Sequence, residues 1–232
     1  LDRAETALRK LEGTGYEEEA RLALLSIYER SRDWTHATDI AAKLDSASHG
    51  SFSTRQAHYL CEQAVSAAAS GDTGQAIDSL QQAAAMAPAS PRPLIDLAKL
   101  QTQLGQHADA FATLRQLEQT APQALPLAAG LLVNIAQQSG QQAAALDLLK
   151  ANYAQLPSID VIEAIVKLDT TSADPRQWYG QHLEREASLV AAAKWIAGEK
   201  LGSEHEHSMV QRALDQATKP LMRYRCAACG FE

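Results

Sequence analysis

Aromatic side chains make up only 5% of the 232 residues, and β-branched runs of the kind a sheet needs are almost absent. A sheet-based fold is therefore not expected. No apolar run approaches the roughly 20 residues of a bilayer-spanning helix. The longest, residues 125–136, is broken by Pro126, Gly130 and Asn134, and no signal-peptide pattern opens the sequence. Cysteine is too rare for a disulfide scaffold, with three in the chain. The odd count, with two of the three in a C-x-x-C, points instead to a reducing compartment and to metal or redox chemistry. Positive charge is also short. Lys and Arg number 21 against 28 Asp and Glu, a net charge of −7, which argues against a nucleic-acid partner because such a partner needs a basic face. Nor is there an H-E-x-x-H, a phosphate-binding glycine loop or a G-x-S-x-G. Gly13-Thr14-Gly15 is a turn with no strand before it. The chain is therefore read as non-enzymatic. What is present is a normal globular balance, 46% hydrophobic and 21% charged, which excludes a disordered chain. It is rich in the helix formers Ala, Leu and Gln.

Compared with itself, the sequence repeats. Gly71 and Gly105 are 34 residues apart, as are Ala76 and Ala110, Leu80 and Leu114, and Pro88 and Pro122. A further step of 35 reaches Gly140, Ala145, Leu149 and Pro157. Backwards the step is 39 and the marks weaken to Arg32, Ala37, Ala41 and Leu44, the extra length lying in the serine-rich loop of residues 46–53. One more step back reaches Ala4, Leu8 and Leu11. Each mark has a physical role. The glycine ends a first helix in a left-handed cap. The alanine lets two antiparallel helices approach, and the leucine continues the same face. The proline stops the second helix. Ser90-Pro91 should restart a helix as N-cap and first helical residue. This pattern resembles the tetratricopeptide repeat, over about residues 1–157 and most clearly over 57–157. The expected fold is an all-α tetratricopeptide-repeat superhelical solenoid.

Residues 1–11 match only the second helix of a repeat, which would leave an apolar face uncovered, so the chain is expected to be a fragment with repeats upstream. After Pro157 the register fades. Helices are expected from Ser158 to Leu168, from Asp174-Pro175 to about Glu186, and from Ser188 to Leu201. The capping box Ser203 to Glu206 should open a last one ending near Thr218. Residues 158–219 are read as degenerate helical pairs capping the array, and residues 220–232 as a separate knuckle.

In that knuckle Cys226 and Cys229 can place two thiolates on one tetrahedral ion, and Gly230 allows the positive φ that turns backbone N–H groups toward sulfur. The C-x-x-C-G resembles the start of a rubredoxin or zinc-ribbon fold, with iron or zinc as the ion. Four ligands are needed, so a second pair is expected beyond this sequence. Cys61 falls within a repeat helix and is read as a small buried apolar residue. His205 and His207 fall in the first turn of an exposed helix and are read as solvated.

The tetratricopeptide resemblance also implies a partner-binding groove along the first helices. It is lined by Arg92, Ile95, Lys99, Thr102 and Gln103 in one unit and by Leu127, Gly130, Asn134, Gln137 and Gln138 in the next. Earlier units contribute Glu19, Glu29 and Arg30, then His58 and Val65. Arg92 and Lys99 are expected to be exposed cations whose reversal leaves stability unchanged. The Lys/Asn/Arg set that clamps a free carboxylate is missing, so a mixed polar and apolar protein surface is the expected partner.

The order of repeats followed by Met222-Arg223-Tyr224-Arg225-Cys226 and Cys229-Gly230-Phe231 resembles the lipopolysaccharide assembly protein B family. Leu1-Asp2-Arg3-Ala4-Glu5, Ile27-Tyr28 with Trp34, and His58-Tyr59 with Cys61-Glu62 add to the likeness. The resemblance implies a non-enzymatic adaptor on the cytoplasmic face of the bacterial inner membrane, tethered by an N-terminal helix this sequence lacks. Its partners would be an FtsH-type membrane protease, the lipid A pathway deacetylase whose degradation it promotes, and other lipopolysaccharide assembly proteins. A rubredoxin-like domain with four cysteines would pack on the repeats. Open alternatives are a general peptide-binding adaptor or co-chaperone with unrelated clients, and an electron carrier built on an iron knuckle. A homo-oligomer also stays open.

Overall fold

The computed structural model describes residues 2–48, 52–170 and 174–197, together with residues 211, 214 and 215. All regular structure among the described residues is helical. The helices are α1 (Asp2–Arg9), α2 (Glu17–Ser31), α3 (Trp34–Ser48), α4 (Ser53–Ser70), α5 (Thr73–Met86) and α6 (Arg92–Gln103). After them come α7 (His107–Thr120), a 3-10 turn (Pro122–Ala124), α8 (Leu125–Ser139), α9 (Gln142–Gln155), α10 (Ile159–Leu168), α11 (Arg176–Arg185) and α12 (Leu189–Ile196). This is the tetratricopeptide-repeat solenoid fold that the repeat marks implied.

The marks act where their chemistry requires. Gly71, Gly105 and Gly140 hold φ of 88°, 74° and 71°, each just past the end of a first helix. The N–H of the following residue reaches back across the last turn: Asp72 to Ala67, Gln106 to Gln101, Gln141 to Ala136. Arg32 stands where the weakened unit lacks its glycine and adopts the same left-handed cap, φ 56°, with Asp33 N–H on the Tyr28 carbonyl. Two-residue connections fold α3 back on α2, α5 on α4 and α9 on α8. Ala37, Ala76, Ala110 and Ala145 are all fully buried, as residues at a close helix crossing must be.

Three starts differ from expectation; α11 begins at Arg176 with Pro175 as its N-cap, where the sequence reads Asp174 as the cap and Pro175 as the first-turn residue. α6 begins at Arg92, not Pro91; the Pro91 carbonyl accepts from Ile95 N–H, so the proline is the cap and Ser90 precedes it. Pro122 does more than stop α7, since it opens the 3-10 turn leading into α8. Ser158 and Ser188, read from sequence as the first residues of their helices, are the N-caps of α10 and α12, accepting from Asp160 and Ala191 N–H.

The chain divides into two compact units, the first ending at Leu100 and the second starting at Gln101. In the first, α1 packs on α2, α2 on α3, α3 on α4 and α4 on α5. One core cluster gathers Leu24, Leu25, Tyr28, Ala37, Ile40, Leu44 and Tyr59. Another gathers Ala57, Leu60, Cys61, Ala64, Leu80 and Ala83 with Leu97 and Leu100 of α6. In the second unit α8 contacts α7, α9 and α10, and α11 lies between α10 and α12. Leu114, Leu117, Leu125, Leu132, Ile135, Leu149, Ile162 and Ile165 are fully buried there. Buried His182 meets the Tyr153 hydroxyl at 2.9 Å. Arg185 donates to the Tyr153 and Ala154 carbonyls near the end of α9, a favourable place for a cation.

Candidate functional site

The first-helix face of the first unit carries α2, α4 and α6. The repeat spacing decides which side chains meet on it. His58 and Arg92 occupy the same place in successive repeats, and Arg92 donates to His58 Nδ1 at 2.6 Å. Four residues on, Glu62 and Asp96 are likewise equivalent, and Arg92 bonds both, at 2.6 Å and 3.2 Å. One guanidinium thus satisfies a histidine and two carboxylates on two helices, using the planar fork that lysine lacks. On the α2 side, Glu29 accepts from Arg55 at 2.7 Å and from the Tyr59 hydroxyl. Trp34 stacks on Tyr59 and meets His58 edge-on, each with ring centroids 5.9 Å apart. Gln63 donates to the Trp34 carbonyl and the Thr38 hydroxyl.

Burial, followed by the neighbouring Arg92 charge, holds His58 below its ordinary pKa. Burial also pushes Tyr59 well above the usual phenol range and the Cys61 thiol up to about 12. Cys61, fully buried, is a neutral core thiol and not a nucleophile or ligand.

These contacts revise the reading of the first groove set. Arg92 is not a free cation: its side chain is 17% exposed and fully engaged. Ile95 is buried, at 8%, and offers almost no surface. Lys99 is exposed and only loosely held, 3.4 Å from Asp96. Gln103 is exposed. Of the partners, Asp96 was not singled out from sequence, and Tyr59 and Glu62 were noted only for a family likeness and not as groove residues. The signal that would have found two of them is the 34-residue spacing itself, applied to the polar positions as well as to the apolar ones.

In the second unit α8 presents a different face. Gly130, Asn134, Gln137 and Gln138 are all exposed, and Leu127 is half-buried beside them. No charged residue occurs anywhere in the helix. A groove is lined by Phe111, Arg115 and Glu118 of α7 and by Ala144, Asp147 and Leu148 of α9.

Cys226, Cys229, His205 and His207 lie outside the described residues. Among the described residues no group of three or more His, Cys, Asp or Glu is placed to hold a metal ion. No helix among them is long and apolar enough to cross a membrane.

Residues 67–135 match the sequence profile of the tetratricopeptide repeat. Along almost the whole chain there is similarity to lipopolysaccharide assembly protein B of Escherichia coli, in strain K12 and in strain O157:H7. Identity is 25% over 239 aligned positions, covering 99% of this chain and 61% of those proteins. The chain thus spans less than two thirds of the length of these relatives. Solved structures that align with this chain include the MamA protein, with 12% identity, TM-score 0.44, and coverage of 91% of this chain and 100% of that one. Another is PilF of Pseudomonas aeruginosa, with 14% identity, TM-score 0.47, and coverage of 88% and 93%.

Proposed function

We propose that this chain is the repeat region of a non-enzymatic adaptor that works like lipopolysaccharide assembly protein B. In that role it holds the lipid A pathway deacetylase for an FtsH-type membrane protease and so limits lipopolysaccharide synthesis. The observation that carries this reading is the similarity to the Escherichia coli protein along 99% of the chain. It extends well past residues 67–135, where the general repeat profile matches. The fold supports an adaptor, because stacked helix pairs expose long first-helix faces to a protein partner.

In the same reading, Cys226 and Cys229 supply two thiolates of a four-thiolate iron or zinc site. Changing both to serine in the full-length protein should lower its metal content. The functional test is complementation. The full-length protein is expressed in a Gram-negative strain deleted for its own assembly protein B, and deacetylase and lipopolysaccharide levels are followed. Restored turnover of the deacetylase is expected, along with retention of purified deacetylase or protease by the immobilised chain. Unrestored turnover together with no retention of either protein would overturn the reading and leave a general adaptor with unrelated clients.

A further inference from the structure

We propose that His58, Glu62, Arg92 and Asp96 form an acid-released latch between α4 and α6, closed by Arg92 when His58 is neutral and opened when a proton takes Arg92's place on the imidazole. The latch goes beyond the adaptor reading and holds with any partner or none.

Three observations converge on it. First, Arg92 Nη1 lies 2.6 Å from His58 Nδ1. A guanidinium has five donors and no acceptor and stays charged. His58 Nδ1 is therefore the accepting nitrogen, and the one proton of the neutral ring sits on Nε2. The Nδ1 lone pair can hold the Arg92 hydrogen bond or a proton, never both. Second, the four groups are two pairs spaced four residues apart at equivalent places in successive repeats: His58 and Glu62 on α4, Arg92 and Asp96 on α6. In the closed arrangement Arg92 crosses to both His58 and Glu62 and also holds Asp96. Once Nδ1 is protonated, its N–H has Glu62 as acceptor one turn along its own helix, and Arg92 keeps Asp96. Ties between the helices become ties within each. Third, the surroundings oppose protonation while the latch is closed. Burial acts first, then the Arg92 charge, against the weaker pull of Glu62 and of Glu29 on α2, itself paired with Arg55. From α3 the neutral Trp34 ring meets His58 edge-on, the adjacent Tyr59 phenol is kept neutral by burial, and α5 packs on α4 through Ala76, Leu80 and Ala83. The latch is therefore closed at neutral pH and opens only below the ordinary histidine range.

The experiment records imidazole 15N spectra of the full chain from about pH 8 to about pH 5, with amide hydrogen exchange measured in parallel and corrected for its intrinsic pH dependence. His58→Gln assigns the His58 signals. Wild type should show His58 neutral with its proton on Nε2 at about pH 8, and a titration midpoint below about 6.5. Arg92→Met should raise that midpoint by roughly one unit by freeing the lone pair, and Glu62→Gln should lower it by weakening the acceptor of the protonated state. Protection of α6 should fall roughly threefold or more between about pH 7.5 and about pH 5.5 in wild type. It should stay flat in His58→Gln, which offers Arg92 an acceptor at every pH. A histidine that is merely buried would not answer Arg92→Met and Glu62→Gln with opposite signs. A proton on Nδ1 at about pH 8, a midpoint at or above about 6.5, no rise in Arg92→Met, or pH-dependent protection of α6 retained in His58→Gln would each overturn the proposal.

Discussion

Arg92→Met should destabilise the first unit by about 2 kcal/mol. The substitution keeps most of the side-chain stem and removes the guanidinium. Glu62 and Asp96 then lose the cation between them, and His58 Nδ1 loses its donor. An exposed ion pair contributes at most about 1 kcal/mol, whereas removing one partner of a fully buried pair costs about 3–5 kcal/mol. Here the side chains are 17%, 28% and 24% exposed for Arg92, Glu62 and Asp96, so the cost falls between those limits. Urea denaturation followed by circular dichroism measures it. For a chain of this size, each kcal/mol corresponds to about 2–4 °C of melting temperature. A double-mutant cycle with Glu62→Gln should return a coupling of about 1–2 kcal/mol. Arg92→Lys should recover less than half of the loss, because one ammonium cannot span three acceptors. Arg92→Glu should cost more than Arg92→Met, since it adds a third carboxylate, whereas Lys99→Glu should leave stability nearly unchanged. If Arg92→Met stays within about 0.5 kcal/mol of wild type and shows no coupling to Glu62, the network contributes nothing and Arg92 behaves as the free surface cation first expected.

Arg32→Gly should stabilise the chain by about 1 kcal/mol, because a left-handed cap strains a residue with a Cβ; a lower urea midpoint would show that Arg32 is held by something other than its backbone. Ala110→Leu should cost roughly 1–3 kcal/mol by overfilling a fully buried crossing, and an unchanged melting temperature would mean that the crossing has room. Stability should also fall with pH through two histidines. His58 and His182 are held below their ordinary pKa, mainly by burial, so the unfolded chain binds more protons than the folded one once pH falls below about 6.5. Their contribution is therefore complete above that pH and is lost as pH falls toward the folded values. His58→Gln, which keeps an acceptor for Arg92, should flatten the stability profile between about pH 7 and pH 5; a profile identical to wild type would remove His58 from the account.

The sequence by itself determined the helices and their pairing, because those depend on local chemistry repeated at a fixed interval. A glycine that accepts positive φ, an alanine small enough for a crossing and a proline that ends a helix each act within a turn or two of their own position. That is why even Arg32, which lacks the glycine side of the bargain, could be placed in register by Ala37 and Leu44. The starts of α10 and α12 beside Ser158 and Ser188 were legible for the same reason, though the capping role of the two serines was not read. The starts of α6 and α8 were legible only to within a residue or a turn, since two prolines beside each boundary allow more than one entry. The identity of the exposed groups was decided by tertiary structure alone. Arg92 and Lys99 are both cations on the face of one helix, and nothing local separates them. Packing α6 beside α4 brings Arg92 against His58 and Glu62 and leaves Lys99 exposed, held loosely by Asp96 of its own helix. On α8 the outcome is the reverse: among the described residues no side chain is brought to the carboxamides of Asn134, Gln137 or Gln138, and all three residues are exposed. Whether a polar side chain faces water or a partner depends on what the adjacent repeat places across from it, and that is a property of two segments a full repeat apart.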